Sequence, residues 1–215
     1  MSTLELVSLE EAALRLQLDL NIGEVSQVLR SSLTGARVFV EGELLLSSLE
    51  YQEHDCLYYL DSDAFSGIQP GGMFRVDVPA YFIREDVPVV LTAGEGPLLA
   101  NAETVPTSDY RVDRARGQIL LAATDWKDKH LKVVCATGFK GATFDNAGDQ
   151  VSPSEIGPEW LREAIMSLVG QVFDTSQTTN RSSEAAEIFR RAAASARVVM
   201  GSRLKKRGFC MRPVV

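Results

Sequence analysis

Two histidines are the side chains of this 215-residue sequence best suited to acid–base chemistry near neutral pH. His54 stands between two acidic residues, and His130 follows an acid and a lysine. Such surroundings are typical of solvated histidines at exposed strand ends. A catalytic base also needs a nucleophile or a substrate site beside it, and the sequence offers neither. We therefore expect both histidines to be solvated and no catalytic residue to be present.

Three cysteines could supply nucleophiles, disulfides or metal ligands. Cys56, Cys135 and Cys210 are odd in number and far apart, and none has a second cysteine or a histidine at metal-binding spacing. Neither a disulfide framework nor a zinc site is indicated. We expect reduced thiols in a cytosolic protein and no bound metal.

Short acidic and glycine-rich motifs could hold ions or phosphates. Asp61-Ser62-Asp63 has the form of the start of a calcium loop, but no glycine follows at its sixth position and no acid at its twelfth. Gly94-Glu95-Gly96 has neither a strand-to-helix context nor a third glycine, and no Gly-Lys-Ser/Thr occurs. We expect turns at both places and no cofactor.

The N-terminus and the hydropathy pattern bear on localisation. Met1-Ser2-Thr3-Leu4-Glu5 has no basic segment followed by an apolar one, so we do not expect a signal peptide. No apolar run approaches the roughly 18 residues that a membrane span requires. A soluble intracellular protein without a membrane partner is the expectation.

Charge is distributed unevenly along the chain, whose net charge is -7. Every charged residue after Glu187 is basic, eight in all, so 14 basic residues face 29 acidic ones before position 188. The body of the chain is thus near -15 and its end is +8. Such asymmetry is typical of a terminal arm that meets an acidic surface or nucleic acid.

The basic end has two competing interpretations. It could be a disordered, solubilising terminus. Alternatively it is a docking arm, because two apolar anchors alternate with the cations, as in peptides that insert into a partner's groove. DNA contact would be confined to this segment, since the acidic body repels a duplex. The candidate binding residues are Arg203, Lys205, Lys206, Arg207, Phe209, Met211 and Arg212.

Two helices are predicted to open the chain as a hairpin. Ser8-Leu9-Glu10-Glu11 has the form of a capping box before a short amphipathic run. A second helical pattern starts at Asn21 and is expected to stop at Thr34-Gly35.

Short alternating or β-branched runs follow, separated by turn residues, and they predict a β-rich lobe. The clearest hairpin runs from Tyr110 to Leu120, where Asp113 opens a turn and Gly117 takes positive φ. The predicted strands are Arg37 to Val40, Leu57 to Leu60, Met73 to Val78, Val87 to Thr92, Asp109 to Val112, Gln118 to Leu121 and Leu131 to Thr137.

Helical spacing resumes after Pro158, breaks at Asp174 to Ser182, and returns in an alanine-rich helix from Ser183 to about Gly201. The predicted fold class is α+β: a four-helix body with an inserted antiparallel β-rich lobe and an extended C-terminal tail. The predicted segments are the helix hairpin 1–35, the lobe 36–140, a linker 141–157, the C-terminal helices 158–201 and the basic tail 202–215.

Three stretches give the chain a family resemblance. Together they are similar to the head-to-tail connector (adaptor) proteins of tailed bacteriophages. The stretches are Leu6-Val7-Ser8-Leu9-Glu10-Glu11-Ala12, the hairpin Asp109 to Leu121 followed by Leu131 to Phe139, and Pro158 to Ile165. The sequence departs from that family in a longer lobe between Ala36 and Val105 and in Cys135-Ala136-Thr137.

The resemblance implies a structural, non-enzymatic virion protein at the neck between head and tail, assembled in the host cytoplasm. It implies a homo-oligomeric ring of twelve copies that docks to the portal protein, meets a downstream tail or neck protein, and lets genomic DNA pass without sequence-specific binding. An acidic body suits such a channel, because DNA slides past it without sticking. The alternatives are a DNA-binding or packaging accessory protein that uses the basic tail, and an enzyme with an unrecognised site.

Overall fold

The computed structural model describes residues 4–45, 47–60, 73–122, 126, 128–145, 150–177, 190–198 and 200, with the backbone alone at 43–45 and 171–177. The chain divides into two compact units. The helical unit comprises the described residues up to Ser48 and from Phe139 onward, and the β unit those from Leu49 to Gly138.

The first helix of the helical unit begins where its cap predicts. Helix α1 spans Leu9–Leu16, and the Ser8 hydroxyl accepts a hydrogen bond from the Glu11 amide at 3.1 Å. The capping prediction is therefore confirmed. Gln17 ends the helix in the left-handed region, with φ of 55°.

Helix α2 spans Gly23–Phe39 and continues as a π-helical turn over Val40–Leu45. The predicted stop at Thr34-Gly35 is wrong, and so is the strand at Arg37 to Val40. Ala36 and Val40 are fully buried, and burying them on a helical face outweighs the modest cost of a glycine inside a helix. The Thr34 hydroxyl donates to the Arg30 carbonyl one turn earlier, at 3.0 Å.

Helix α3 spans Glu159–Gln177 and packs on α2. Its buried face carries Leu161, Ala164, Ile165, Leu168 and Val169. Arg162 on α3 bonds both carboxylate oxygens of Glu11 on α1 at 2.9 Å, which links the first helix to the third. Residues 190–198 are helical as well and are named α4. The start of the predicted last helix, from Ser183, lies outside the described residues.

Seven strands form two antiparallel sheets in the β unit. One sheet has the order β1-β7-β3-β4 and the other the order β2-β6-β5. The strands are β1 Gln52–Tyr59, β2 Met73–Asp77, β3 Val90–Glu95, β4 Ala100–Thr104, β5 Tyr110–Asp113, β6 Gln118–Ala122 and β7 His130–Thr137. Six of the predicted strands overlap these, whereas β4 was not predicted.

Both sheets line one hydrophobic core. Alternate residues of each strand point inward, among them Tyr58 on β1, Val76 on β2, Ile119 on β6 and Val133 on β7, all fully buried. The intervening residues of the same strands therefore form two outer faces on opposite sides of this core.

The predicted hairpin is confirmed as β5 and β6, with Tyr110 opposite Leu121 and Asp113 opposite Gln118. The Asp113 carboxylate accepts from the Arg116 amide at 3.2 Å and closes the turn. Gly117 takes φ of 63°, as the turn chemistry requires.

The helical unit also holds a two-stranded ribbon. Strands β8 (Thr143–Phe144) and β9 (Gln150–Ser152) pair antiparallel. They lie in the segment 141–157, for which the sequence indicated a linker. The Lys140 and Glu155 backbones bond at 2.9 Å at the base of the ribbon.

The expected four-helix body is wrong. The described residues hold four helices and three antiparallel sheets, so the fold is mixed α/β and β-rich. The helical periodicity was read correctly at α1 and α3. However, α1 has only eight residues, and the two sheets of the β unit enclose a hydrophobic core of their own.

Candidate functional site

The seven candidate binding residues of the basic tail lie outside the described residues, so the structure brings none of them to a site. They are Arg203, Lys205, Lys206, Arg207, Phe209, Met211 and Arg212.

His54 lies inside β1 rather than at a strand end. Its Nε2 atom is 2.7 Å from the Thr137 hydroxyl on β7, and the residue is half-buried. Burial lowers the pKa of its imidazole, because removing water disfavours the charged form. The expectation of a solvated histidine is wrong here.

His130 begins β7 and is also half-buried, with its ring 5.0 Å from that of Tyr59. Its Nδ1 atom is buried without a hydrogen bond. In the register of β1 and β7, His54 lies opposite Cys135 and His130 lies opposite Tyr59, so the two histidines are five positions apart along the paired strands. The two imidazoles are thus about 16 Å apart along the strand and do not form an acid–base pair.

Cys56 and Cys135 belong to the core of the β unit, on neighbouring strands. Burial, and then the neighbouring Cys56 thiol, raise the pKa of Cys135 to about 12. Burial likewise raises the pKa of Cys56. Since the thiolate is the nucleophile and the metal ligand, the raised pKa of each thiol disfavours both roles at neutral pH. Within the described ranges, no group of three His, Cys, Asp or Glu side chains could hold a metal ion.

The helical unit contains a cavity of about 250 Å³ beneath the N-terminal segment. Apolar side chains line most of it, among them Leu4, Leu6 and Leu33. The Arg37 guanidinium donates a hydrogen bond to the Leu4 carbonyl at 3.1 Å. Ligand pockets usually run from about 300 to 1,000 Å³. The cavity volume is therefore below this range, and the cavity is a packing gap between helices rather than a pocket for a drug-sized ligand.

Exposed apolar side chains occur on helices, as at Leu14 and Val198, and also on narrow β elements. Leu98 lies in the turn between β3 and β4 and is 95% exposed. Every residue of β4 is exposed, so this hairpin projects from the core of the β unit. A leucine that remains fully in water at such a tip contributes nothing to the stability of the unit.

The β8–β9 ribbon exposes two large apolar side chains to solvent. The Thr143 and Ser152 hydroxyls lie 2.7 Å apart and mark one face. Phe144 pairs with Gln150 across an irregular register, and Phe144 and Val151 are 51% and 69% exposed. Ile156, just past the ribbon, is 71% exposed. An isolated two-stranded ribbon is marginally stable in water, so a partner that covers Phe144 and Val151 would stabilise it.

Sequence reasoning missed Leu98, Phe144 and Val151 as candidate contact residues. The Gly94-Glu95-Gly96-Pro97 turn that precedes Leu98 was visible in the sequence. The exposure of Phe144 and Val151 was not, because it depends on which face of the ribbon the rest of the unit leaves uncovered.

No family model matches the chain, and no curated protein matches it. Among the described helices, none is long and apolar enough to cross a membrane.

Proposed function

We propose that this chain is a structural head-to-tail connector of a tailed phage. Copies of it form a ring, twelve in the family that it resembles, which docks to the portal protein and extends the DNA channel toward a tail or neck protein. The protein acts in the virion neck after assembly in the host cytoplasm. It works through packing surfaces and performs no catalysis.

The observation that carries the proposal is the exposure of apolar side chains on narrow projecting β elements. Leu98 on the β3–β4 hairpin, and Phe144 and Val151 on the ribbon, are the clearest cases. Exposed apolar residues grouped on projections are typical of surfaces that a partner covers. A connector meets three partners, namely its neighbours, the portal and the next neck protein, and so needs several such surfaces.

The family resemblance supports the same function. The three stretches that carry it form the start of α1, the β5–β6 hairpin with β7, and the start of α3. The acidic body, near -15, suits a channel wall because it lowers the affinity for passing DNA.

Portal binding tests the proposal. Purified portal rings from the same phage, mixed with the protein, should acquire a ring of added density in electron microscopy. Replacing both Phe144 and Val151 with serine should weaken this assembly at least about tenfold, since it removes two apolar contacts. The replaced side chains are exposed, so thermal unfolding should change little.

Leu14→Ser is the matched control, because Leu14 is 82% exposed but lies on α1 rather than on a projecting β element. It should assemble as the unaltered protein does. If the protein adds no density to portal rings under any condition, the connector proposal is wrong. If it assembles and the ribbon variant assembles equally well, the ribbon is not a contact surface.

The eight cations after Glu187, five of which lie in residues 202–215, favour a second candidate, a DNA-binding or packaging accessory protein. Removing residues 202–215 separates the two functions. A connector arm predicts weaker portal binding and no retardation of duplex DNA by the full chain. A DNA-binding role predicts retardation that falls steeply with salt and disappears with the deletion.

A further inference from the structure

The outer face of the β2-β6-β5 sheet carries two arginines on either side of a leucine. Arg75 on β2 and Arg111 on β5 both lie opposite Leu120 on β6. The two arginines are therefore about 10 Å apart across the sheet. Leu120 is half-buried and Arg111 exposed.

Neither arginine has an ion-pair partner among the described residues, and the Nε atom of Arg75 is buried without a hydrogen bond. Two acids share this face, neither of them binds Arg75 or Arg111, and only one of them is paired with a cation. Asp113 binds Arg116 at 2.6 Å, and Asp77 accepts from the Gln118 amide at 2.8 Å. The guanidinium groups are thus free to bind an anionic partner, and a half-buried unsatisfied N–H favours one.

The outer face of the β1-β7-β3-β4 sheet has a different character. Glu53 and Asp55 stand on β1 two residues apart, and both are exposed. Asp55 binds Lys132 at 2.8 Å, whereas Glu53 accepts a hydrogen bond from the Tyr51 hydroxyl at 2.8 Å and has no cationic partner among the described residues. Beside them, Val134 on β7 lies opposite Val90 on β3, and the two are 39% and 42% exposed.

Because the two sheets share one core, these outer faces lie on opposite sides of the β unit. One side presents cations around an apolar residue, and the other presents an acid beside a pair of valines. The faces are complementary to each other and neither is complementary to itself. A surface that fits a different surface of an identical molecule produces a head-to-tail contact, which closes into a ring or extends as a filament.

We propose that the β2-β6-β5 face of one copy binds the β1-β7-β3-β4 face of the next copy. Arg75 and Arg111 bind the acidic edge at Glu53, and Leu120 covers Val90 and Val134. This inference rests on the proposed ring function, for which it supplies the contact between neighbours. At physiological ionic strength the Debye length is about 8 Å, so the repulsion between acidic bodies is largely screened while the direct pairs persist.

Self-association of the full chain tests the contact, measured by sedimentation velocity over a wide concentration range. Arg111→Glu should weaken self-association at least about tenfold, and so should Glu53→Arg, because each places like charges across the contact. The double variant restores opposite charges and should recover most of the lost affinity. Arg111 and Glu53 are exposed, so these variants should fold, which thermal unfolding will verify.

Two exposed residues elsewhere provide charge-matched controls. Arg15→Glu on α1 and Glu163→Arg on α3 make the same changes of charge on helices outside both sheets. They should leave self-association within about twofold of the unaltered protein. An effect as large as that of the face variants would mean that net charge alone governs association, and it would overturn the proposal.

Other outcomes also decide the matter. A protein that stays monomeric at high concentration, or a double variant that is not restored, refutes the face-to-face contact. Portal binding is measured separately on the same variants. If the protein binds portal and the face variants do not change self-association, the connector function is supported and this contact is rejected. If the protein self-associates through the two faces but does not bind portal, this contact is supported and the connector function is rejected.

Discussion

Replacing Gly117 with alanine tests how closely the β5–β6 turn packs against the segment that follows β2. Gly117 has φ of 63°, and a Cβ atom built on it would lie 1.9 Å from the Ala80 carbonyl oxygen. Cβ atoms in proteins essentially never approach another heavy atom within 3.0 Å. The backbone must therefore separate by about 1.1 Å, or the turn must change its conformation.

Two contributions give the expected cost. Alanine at positive φ costs roughly 1 kcal/mol. Separating the strands weakens the hydrogen bond from the Val78 amide to the Gly117 carbonyl, 2.9 Å, and the one from the Ile83 amide to the Arg114 carbonyl, 2.8 Å. Each such bond contributes about 1 kcal/mol, and some buried packing is lost with them. We expect a loss of about 3 to 5 kcal/mol in the free energy of unfolding.

Gly96 is the matched control. Its φ is 66°, yet a Cβ atom there would meet nothing within 4 Å. Gly96→Ala should therefore cost only the conformational term, roughly 1 kcal/mol. Urea unfolding followed by tryptophan fluorescence measures both variants. A Gly117→Ala variant as stable as Gly96→Ala would show that the contact with Ala80 is not closely packed, and it would refute the steric argument.

Three further outcomes are expected. Arg84→Ala should destabilise the β unit by about 2 to 3 kcal/mol in thermal or urea unfolding, because Arg84 binds both carboxylate oxygens of Asp86 and the Gly138 carbonyl. Arg84→Lys should recover little of this lost stability, since an ammonium group cannot form the two parallel bonds to Asp86. Burial lowers the pKa of His54 below its ordinary value of 6.5, so the contribution of the neutral imidazole to stability is complete above pH 6.5 and is lost as the pH falls below that value. The urea midpoint should therefore fall less between about pH 7.5 and about pH 5.5 in His54→Gln than in the unaltered protein. An identical fall in both proteins would show that His54 does not cause the pH dependence. Site-resolved mass spectrometry should find Cys135 alkylated at least about a hundredfold more slowly in the native than in the unfolded protein, and equal rates would contradict its burial and raised pKa.

Local chemistry made parts of the fold predictable. The Ser8 cap of α1 and the turn between β5 and β6 each depend on residues three or four positions apart, and the structure has both. The β-branched pattern of Arg37 to Val40 is locally ambiguous and predicts a strand, but the burial of Ala36 and Val40 on one helical face stabilises a helix instead. Distant packing partners, which a single sequence does not reveal, settle such cases.

The candidate surfaces were less predictable than the fold. Exposure of Leu98 or Phe144 depends on what the rest of its unit leaves uncovered. The row formed by Arg75, Leu120 and Arg111 joins residues from three strands, and only the register brings them together. The sequence drew attention to the basic end at 202–215 because composition is visible without a fold, whereas register and exposure are not.

Weak individual contacts suit the proposed ring. In the proposed ring, the net charge of -7 on each copy opposes association, so the contact between the β2-β6-β5 face and the β1-β7-β3-β4 face is expected to be weak in the free protein. Once one copy docks on a portal ring, each neighbour meets the portal and an adjacent copy at once, and the second contact forms at a high effective concentration. The final copy makes contacts on both sides and closes the ring. Ring assembly on the portal is therefore expected at concentrations where the free protein associates only weakly, and strengthening a single surface should produce free oligomers at those concentrations.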